Sequence, residues 1–467
     1  MLDVRGARGE LAIPRWVDPL ADALRQRGLD HERRYLDTLR QEGHVIEDLT
    51  DVPSELAERR LLEAMGAGAD VIVQAPLGAD GWFGYADVLR RVEGDSALGP
   101  WHYEALDTKL SRETKGGTIL QLCVYTELLS GLQGRLPDHF SVVTPISAER
   151  YRFDDFAAFY RFVKARFMAF VSEAAAHTYP DPVAQCDVCR WDAACRARRR
   201  ADDHLSYVAG LGRMQQTELE ARDIATLAAL AGIPVPLEFR PRRGSRETYE
   251  RLREQARLQD VQRTTRVPTF ELLPVALRAV DPARPEATQR EGLLRLPQPS
   301  RGDLFLDLEG DPFARDGGRE YLFGLTGAGH SVGSPPTYSC WWATDDAQER
   351  VAFEQVVDRI MAGLADDPGM HVYHYAPYEP AAFKRLSGRY ATRGEEVDTL
   401  LRGGRFVDLY AIVRQALRAG VESYSIKALE PFYEFVRDVD LRHAGDQRRL
   451  VEVALELGDL ATLTPIV

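Results

Sequence analysis

Lysine is nearly absent from this chain. Of 59 basic residues only five are lysine, namely Lys109, Lys115, Lys164, Lys384 and Lys427, and the rest are arginine. Arginine stays protonated in proteins, whereas a lysine can shift its pKa and place a compact ammonium beside a reacting water, so each lysine here is informative. Long apolar runs are missing as well. No stretch approaches the roughly 20 apolar residues of a membrane span, and the start Met1-Leu2-Asp3-Val4-Arg5 has no apolar signal core. A cytoplasmic protein with no membrane partner is expected. Five cysteines in 467 residues are too few for a disulfide scaffold, and three of them, Cys186, Cys189 and Cys195, crowd into ten positions. That crowding points to metal or cluster ligation in a reducing compartment. A net charge of −13 excludes a generally basic nucleic-acid coat but not a local basic groove. No internal repeat, low-complexity tract or G-x-x-x-x-G-K-[ST] phosphate loop occurs, so helicase activity is not assigned.

What is present is ordinary globular composition, 45% hydrophobic and 28% charged, over a length that calls for two or three domains. Apolar spacing predicts helices over 17–27, 29–43 and 52–67, strands from 70, over 81–92, 101–110 and 140–145, and helices over 119–131 and 154–177. This α/β unit is bounded at 1–203. Residues 204–290 carry no strand signal and read as a helical module and linker. Beyond a proline-bearing stretch, 291–467 is again α/β, with strands over 304–308, 320–326, 337–342 and 371–375 and a helix over 347–364.

The strand 101–110 carries Asp107 and Lys109 two residues apart, hence on one face, and the next helix carries Gln121 and Tyr125 four apart, also on one face. Asp87 ends Gly84-Tyr85-Ala86-Asp87 on the preceding strand. Carboxylates so placed suit a hard divalent cation, with Lys109 beside the attacking water, and His31 or Glu32 from the helical run upstream completing the shell. Glu104 falls on the other face of its strand and is expected at the surface. The motifs resemble the RecB-like nucleases of the PD-(D/E)xK superfamily, over residues 25–200. That resemblance implies a restriction-endonuclease-like domain in which His31, Asp87 and Asp107 bind Mg²⁺ or Mn²⁺, Lys109 assists the water, and Gln121 and Tyr125 line the DNA side.

The C-x2-C-x5-C run of Cys186, Cys189 and Cys195 resembles the iron–sulfur branch of those nucleases, which implies a 4Fe-4S cluster whose fourth cysteine is missing here. Either a ligand upstream of Met1 is absent, or a different one completes the site, as His204 does in a Cys₃His zinc site. Cys123 is read as core. Arg196, Arg198, Arg199 and Arg200 are candidates to hold a DNA backbone. Residues 204–235 look like a helix-hairpin-helix or a plain helical spacer.

Asp307 and Glu309 end an apolar strand on one face. With Glu379, Asp408 and the turn at Ser425 to Lys427 they resemble the ribonuclease H-like DEDD exonucleases. The fourth acid of that family is not found, because the chain stops at about the place where its motif starts, and a carboxyl-terminal truncation of this domain is expected. The whole resembles the front part of RecB-nuclease and superfamily 1 helicase fusions. It implies a divalent-metal-dependent DNA nuclease of repair or end processing, acting on single-stranded DNA or free ends beside a helicase. The rivals are a non-catalytic DNA-binding scaffold and activity lodged in the ribonuclease H-like domain.

Overall fold

The computed structural model describes residues 2–15, 19–111, 113–172, 178–274, 277–281, 284–312, 314, 318–327, 337–435 and 450–455. The stretch 464–467, where the last acidic motif is expected to begin, lies outside them. Two compact units emerge, one of Val17–Thr178 with Arg315–Gly317 and one of Met1–Trp16, Tyr179–Ala314 and Gly318–Val467. In chain order the elements begin with α1 (Leu2–Ala7), α2 (Pro19–Gln41), β1 (Ile46–Asp48), α3 (Ser54–Ala67), β2 (Val71–Ala79), β3 (Trp82–Ser96) and β4 (Gly99–Thr108). They continue through α4 (Gly116–Gln133), β5 (His139–Val143), β6 (Ala148–Arg152) and α5 (Phe153–Ser172).

These strands form one sheet in the order β1-β2-β3-β4-β5-β6. β2, β3 and β4 are an antiparallel meander, and β5 runs parallel to β4. A parallel neighbour needs a crossover, and α4 supplies it. Leu36 and Leu39 of α2 pack with Val71, Val73, Val88, Leu106 and Val143. A separate cluster joins Leu61 and Met65 of α3, and Leu122 and Leu129 of α4, to Ile72, Leu89, Tyr103 and Ala105. The sheet is thus covered on both faces. The two helices expected over 17–27 and 29–43 are the single α2, which continues through Gly28; a mid-helix glycine costs only about 1 kcal/mol.

In the other unit, α6 (Asp192–Ala201), α7 (Arg213–Glu220), α8 (Leu227–Gly232) and α9 (Arg246–Thr265) surround a small core of Leu205, Leu219, Leu230 and Tyr249. Strands follow where none was expected: β7 (Phe270–Leu272), β8 (Leu277–Asp281) and β9 (Arg284–Arg290). β8 and β9 make a hairpin, while β7 pairs with β15 (Leu417–Ala419), far away in sequence. Three residues paired over such a distance leave no local periodicity to read.

The remaining elements are β10 (Leu304–Asp311), β11 (Arg319–Gly327), β12 (Thr337–Trp342), α10 (Asp346–Asp366), β13 (Val372–His374), α11 (Tyr378–Tyr390), α12 (Gly394–Arg402), β14 (Phe406–Asp408), α13 (Leu409–Ala416) and α14 (Ile426–Leu429). Five of these strands make a sheet in the order β12-β11-β10-β13-β14, antiparallel across β12, β11 and β10 and parallel from β10 onward. Leu304, Leu306 and Leu308 point into its core, so Phe305, Asp307 and Glu309 point out. Among the described residues no helix is long and apolar enough to cross a membrane.

Candidate metal centres

The end of β4 holds a buried acid in need of a counter-charge. Asp107 is 1% exposed, its Oδ2 meets Lys109 Nζ at 2.6 Å, and its Oδ1 is buried with no hydrogen-bond donor among the described residues. Burial, and then the neighbouring Asp87, push its carboxyl up to about 7, while Lys109 pulls the other way. Asp87 Oδ2 accepts from the backbone N–H of Thr108 at 3.0 Å. Glu32 also comes in: burial raises its pKa, a hydrogen bond from Gln74 at 3.0 Å lowers it, and the Asp87 and Lys109 charges both reach it. Gln74 sits in the middle of β2 with φ of 53°, a left-handed conformation that a non-glycine residue adopts at a cost.

His31, buried on α2, donates Nε2–H to the carbonyl of Val143 at 3.3 Å, since a carbonyl can only accept. A neutral ring bonded in this way has its lone pair on Nδ1, the arrangement in which a histidine can ligate a metal. The Asp107, Asp87 and Glu32 carboxylates with this imidazole make an oxygen-rich donor set of the kind a divalent cation takes, but among the described residues no three of their ligand atoms lie within 4.8 Å of one another, so a cation would have to draw them in.

Gln121 Nε2 donates to Tyr125 Oη at 3.3 Å, and Tyr125 senses the charges of Asp107, Asp87 and Lys109. Gly84 makes room for it. A Cβ on Gly84 would lie 2.8 Å from Tyr125 Oη and 3.0 Å from its ring, and Tyr125 is too well packed to swing away. Gly84→Ala is therefore expected to cost about 1–3 kcal/mol of stability by overpacking, measured by denaturant unfolding. Tyr125→Phe in the same chain should recover part of it.

Glu104 is not at the surface. It is 6% exposed and receives both its hydrogen bonds, at 3.0 and 3.1 Å, from Arg150 of β6, the strand beyond β5. The alternation argument placed it away from Asp107, but the six-stranded sheet and α2 cover that face too.

A second acid set lies on the five-stranded sheet. The Asp307 side chain is exposed on its strand, yet crowding around its carboxyl and then the Glu309 and Glu379 charges raise its pKa, with Lys427 pulling it down. Glu379 is 3% exposed, with Oε2 3.4 Å from His374 Nδ1. Burial opposes a charge on His374, yet its contacts with Glu379 and with the Ala376 carbonyl prevail and raise its pKa. Asp408 differs: its Oδ1 caps α13 through Ala411 N–H at 3.2 Å and also accepts from Ala376 N–H at 3.1 Å. Those bonds commit that oxygen to the backbone, so Asp408 positions its neighbours. Two of the five lysines, Lys109 and Lys427, thus attend the two acid sets.

Cys186 lies within a short 3-10 turn (Ala184–Val188), Cys189 caps its end, and Cys195 lies on α6. Burial raises the Cys195 thiol and the other two sulfurs add to it. Trp191, between them, donates Nε1–H to Asp3 of α1 at 2.9 Å. Cys123 is fully buried in the core, its thiol pushed up to about 11.

His204 is engaged elsewhere, with Asp181 and Glu220, whose ligand atoms lie within 4.8 Å of each other and of its own. Gln216 Nε2 fills the centre of that group, 2.8 Å from both Asp181 Oδ1 and Glu220 Oε1. His204 Nδ1 accepts from Ser206 N–H at 3.2 Å, and the Gln216 amide nitrogen stands 3.4 Å from its Nε2. An amide already plays the cation's part.

The arginine tract is likewise tied up in carboxylates. Arg196 pairs with Asp192 at 2.7 Å, Arg198 with Asp202 at 2.6 Å and Arg200 with Glu422 at 2.9 Å, while Arg199 is buried against the Pro180 carbonyl at 2.7 Å. Arg196, Arg198 and Arg200 stay exposed and keep further N–H donors, whereas Arg199 is buried.

Residues 304–446 match the family model of the RNase H superfamily, which spans β10 to the last described strands and helices of this sheet. No curated protein and no solved structure matches the chain. This part of the chain is therefore an RNase H superfamily domain.

Proposed function

We propose that the chain is a divalent-metal-dependent nuclease acting on DNA, with its cutting centre at Asp87, Asp107 and Lys109 and a repair or end-processing role. One observation carries the reading: a carboxylate 1% exposed, with an unbonded oxygen, lies between a second acid and one of only five lysines. An enzyme that tolerates so costly a group has a use for it. The meander, crossover helix and parallel fifth strand support a restriction-endonuclease-like fold. Asp87, Asp107 and Glu32 would hold Mg²⁺ or Mn²⁺ with His31 Nδ1. The ion would supply polarisation of the phosphate and a lowered pKa for the attacking water. Lys109, an ammonium paired with Asp107, would orient that water and offset the charge that develops, and Tyr125 and Gln121 set the side on which the strand lies. Metal-dependent cleavage of single-stranded DNA by wild type, and its loss in Asp107→Ala and Lys109→Ala, is the test.

A second reading has its own support. The RNase H superfamily match falls on Asp307, Glu309 and Glu379, a set of acids with Lys427 beside it, so this domain could carry the activity. Asp307→Ala separates the two: it abolishes cleavage only if the second set cuts.

The three cysteines are proposed as ligands of an iron–sulfur cluster. The C-x2-C-x5-C spacing of three cysteines within ten positions is what supports the reading. Anaerobically purified protein is expected to be brown and to contain iron and labile sulfide, both lost in Cys189→Ser. A colourless, zinc-loaded protein would sink this assignment.

A further inference from the structure

Strand β3 carries a different kind of side chain close to Asp87 in sequence, on the face opposite Gly84 and Tyr125. Phe83 and Tyr85 are two residues apart on one strand face, and they are 68% and 42% exposed. Their rings stand 5.2 Å apart at 87°. The cross-strand partner of Phe83 is Gly78, and a Cβ there would lie 3.1 Å from the Phe83 ring. The ring rests against bare backbone and is held without being buried. Core packing does not account for either residue, since neither belongs to the clusters that close the sheet.

Asp87 follows on the same strand. At about 3.4 Å per residue it lies some ~7 Å from Tyr85 and ~14 Å from Phe83 along the strand. That is close enough for bases flanking a phosphate at the acids to reach the two rings. Every base has a π-face, so aromatic platforms hold single strands with little regard to sequence, whereas a duplex keeps its bases stacked inside. We infer that Phe83 and Tyr85 form a base-stacking platform that selects single-stranded nucleic acid for the Asp87, Asp107 and Lys109 centre. The inference rests on the nuclease reading for the fate of the strand, not for its capture.

Capture is measured in EDTA, where nothing is cut, by fluorescence anisotropy of labelled oligothymidine. Phe83→Ala and Tyr85→Ala are each expected to weaken binding about tenfold, and the double variant further. The same strand carrying abasic positions over the contacted stretch should bind wild type no better than oligothymidine binds the double variant. Blunt duplex should bind all forms alike. Wild-type affinity of the double variant for oligothymidine overturns the inference, as does an equal loss for the abasic strand. If the double variant does not fold by circular dichroism, Phe83→Trp replaces it. Its emission should be quenched by oligothymidine beyond the change in wild type, and an unquenched signal overturns the inference. Failure of the nuclease reading appears separately, as no Mg²⁺-dependent cleavage by a wild type that still binds.

Discussion

Lys109→Ala is expected to lower Mg²⁺-dependent cleavage of single-stranded DNA at least about a hundredfold, the scale on which a positioned charge-stabilising donor acts. The lysine touches Asp107 at 2.6 Å, and its charge also reaches Glu32 and Tyr125, so removing it takes away the one ammonium shared by the whole cluster. Cation binding should survive, and even tighten, because a competing positive charge has gone. Asp107→Ala should lose cleavage and cation binding together. The two variants therefore differ in a second readout, the Mg²⁺-induced rise in thermal midpoint: retained in Lys109→Ala, absent in Asp107→Ala. Full cleavage by both variants, with none by Asp307→Ala, would move the activity to the RNase H superfamily domain.

How much of this could be read from the chain alone depends on the range of the interaction concerned. Period two placed Asp307 and Glu309 outward, and the strand alternates as its apolar residues demand. Neighbours at short spacing did the same for Asp107 with Lys109 and for Gln121 with Tyr125. Gly84 was legible as part of a motif, but its reason, the Tyr125 ring, comes from a helix some forty positions on. Gln74 left no mark at all: nothing in Val71-Ile72-Val73-Gln74-Ala75 announces a left-handed residue in mid-strand. Glu104 was misplaced, and the backbone bonds of Asp408 went unforeseen, for one shared reason. A carboxylate's partner is set by what the tertiary fold brings to it, Arg150 in one case and two backbone amides in the other, and neither is periodic in sequence.

Asp107→Asn should make the metal-free protein more stable, which is the opposite of what a buried polar substitution usually does. In the folded chain the carboxyl is raised from 3.8 to about 7, chiefly by burial and then by Asp87. A carboxyl whose pKa rises on folding binds its proton more tightly in the native state, so the native state gains from protonation and loses as pH climbs. The penalty is absent below about pH 4, grows between 4 and 7, and is complete above 7. A shift of that size is worth at most about 4 kcal/mol, and the asparagine amide keeps a desolvation cost of its own. The expected gain is on the order of 2 kcal/mol at pH 8, fading to nothing near pH 4, read as the difference in unfolding free energy in EDTA. Mg²⁺ should then reverse the order. Wild type gains stability from the cation and the variant does not, so the two pH profiles cross on adding the metal. A variant no more stable than wild type at pH 8 without metal would mean that Asp107 is already satisfied, and that the centre holds no charge waiting for a cation.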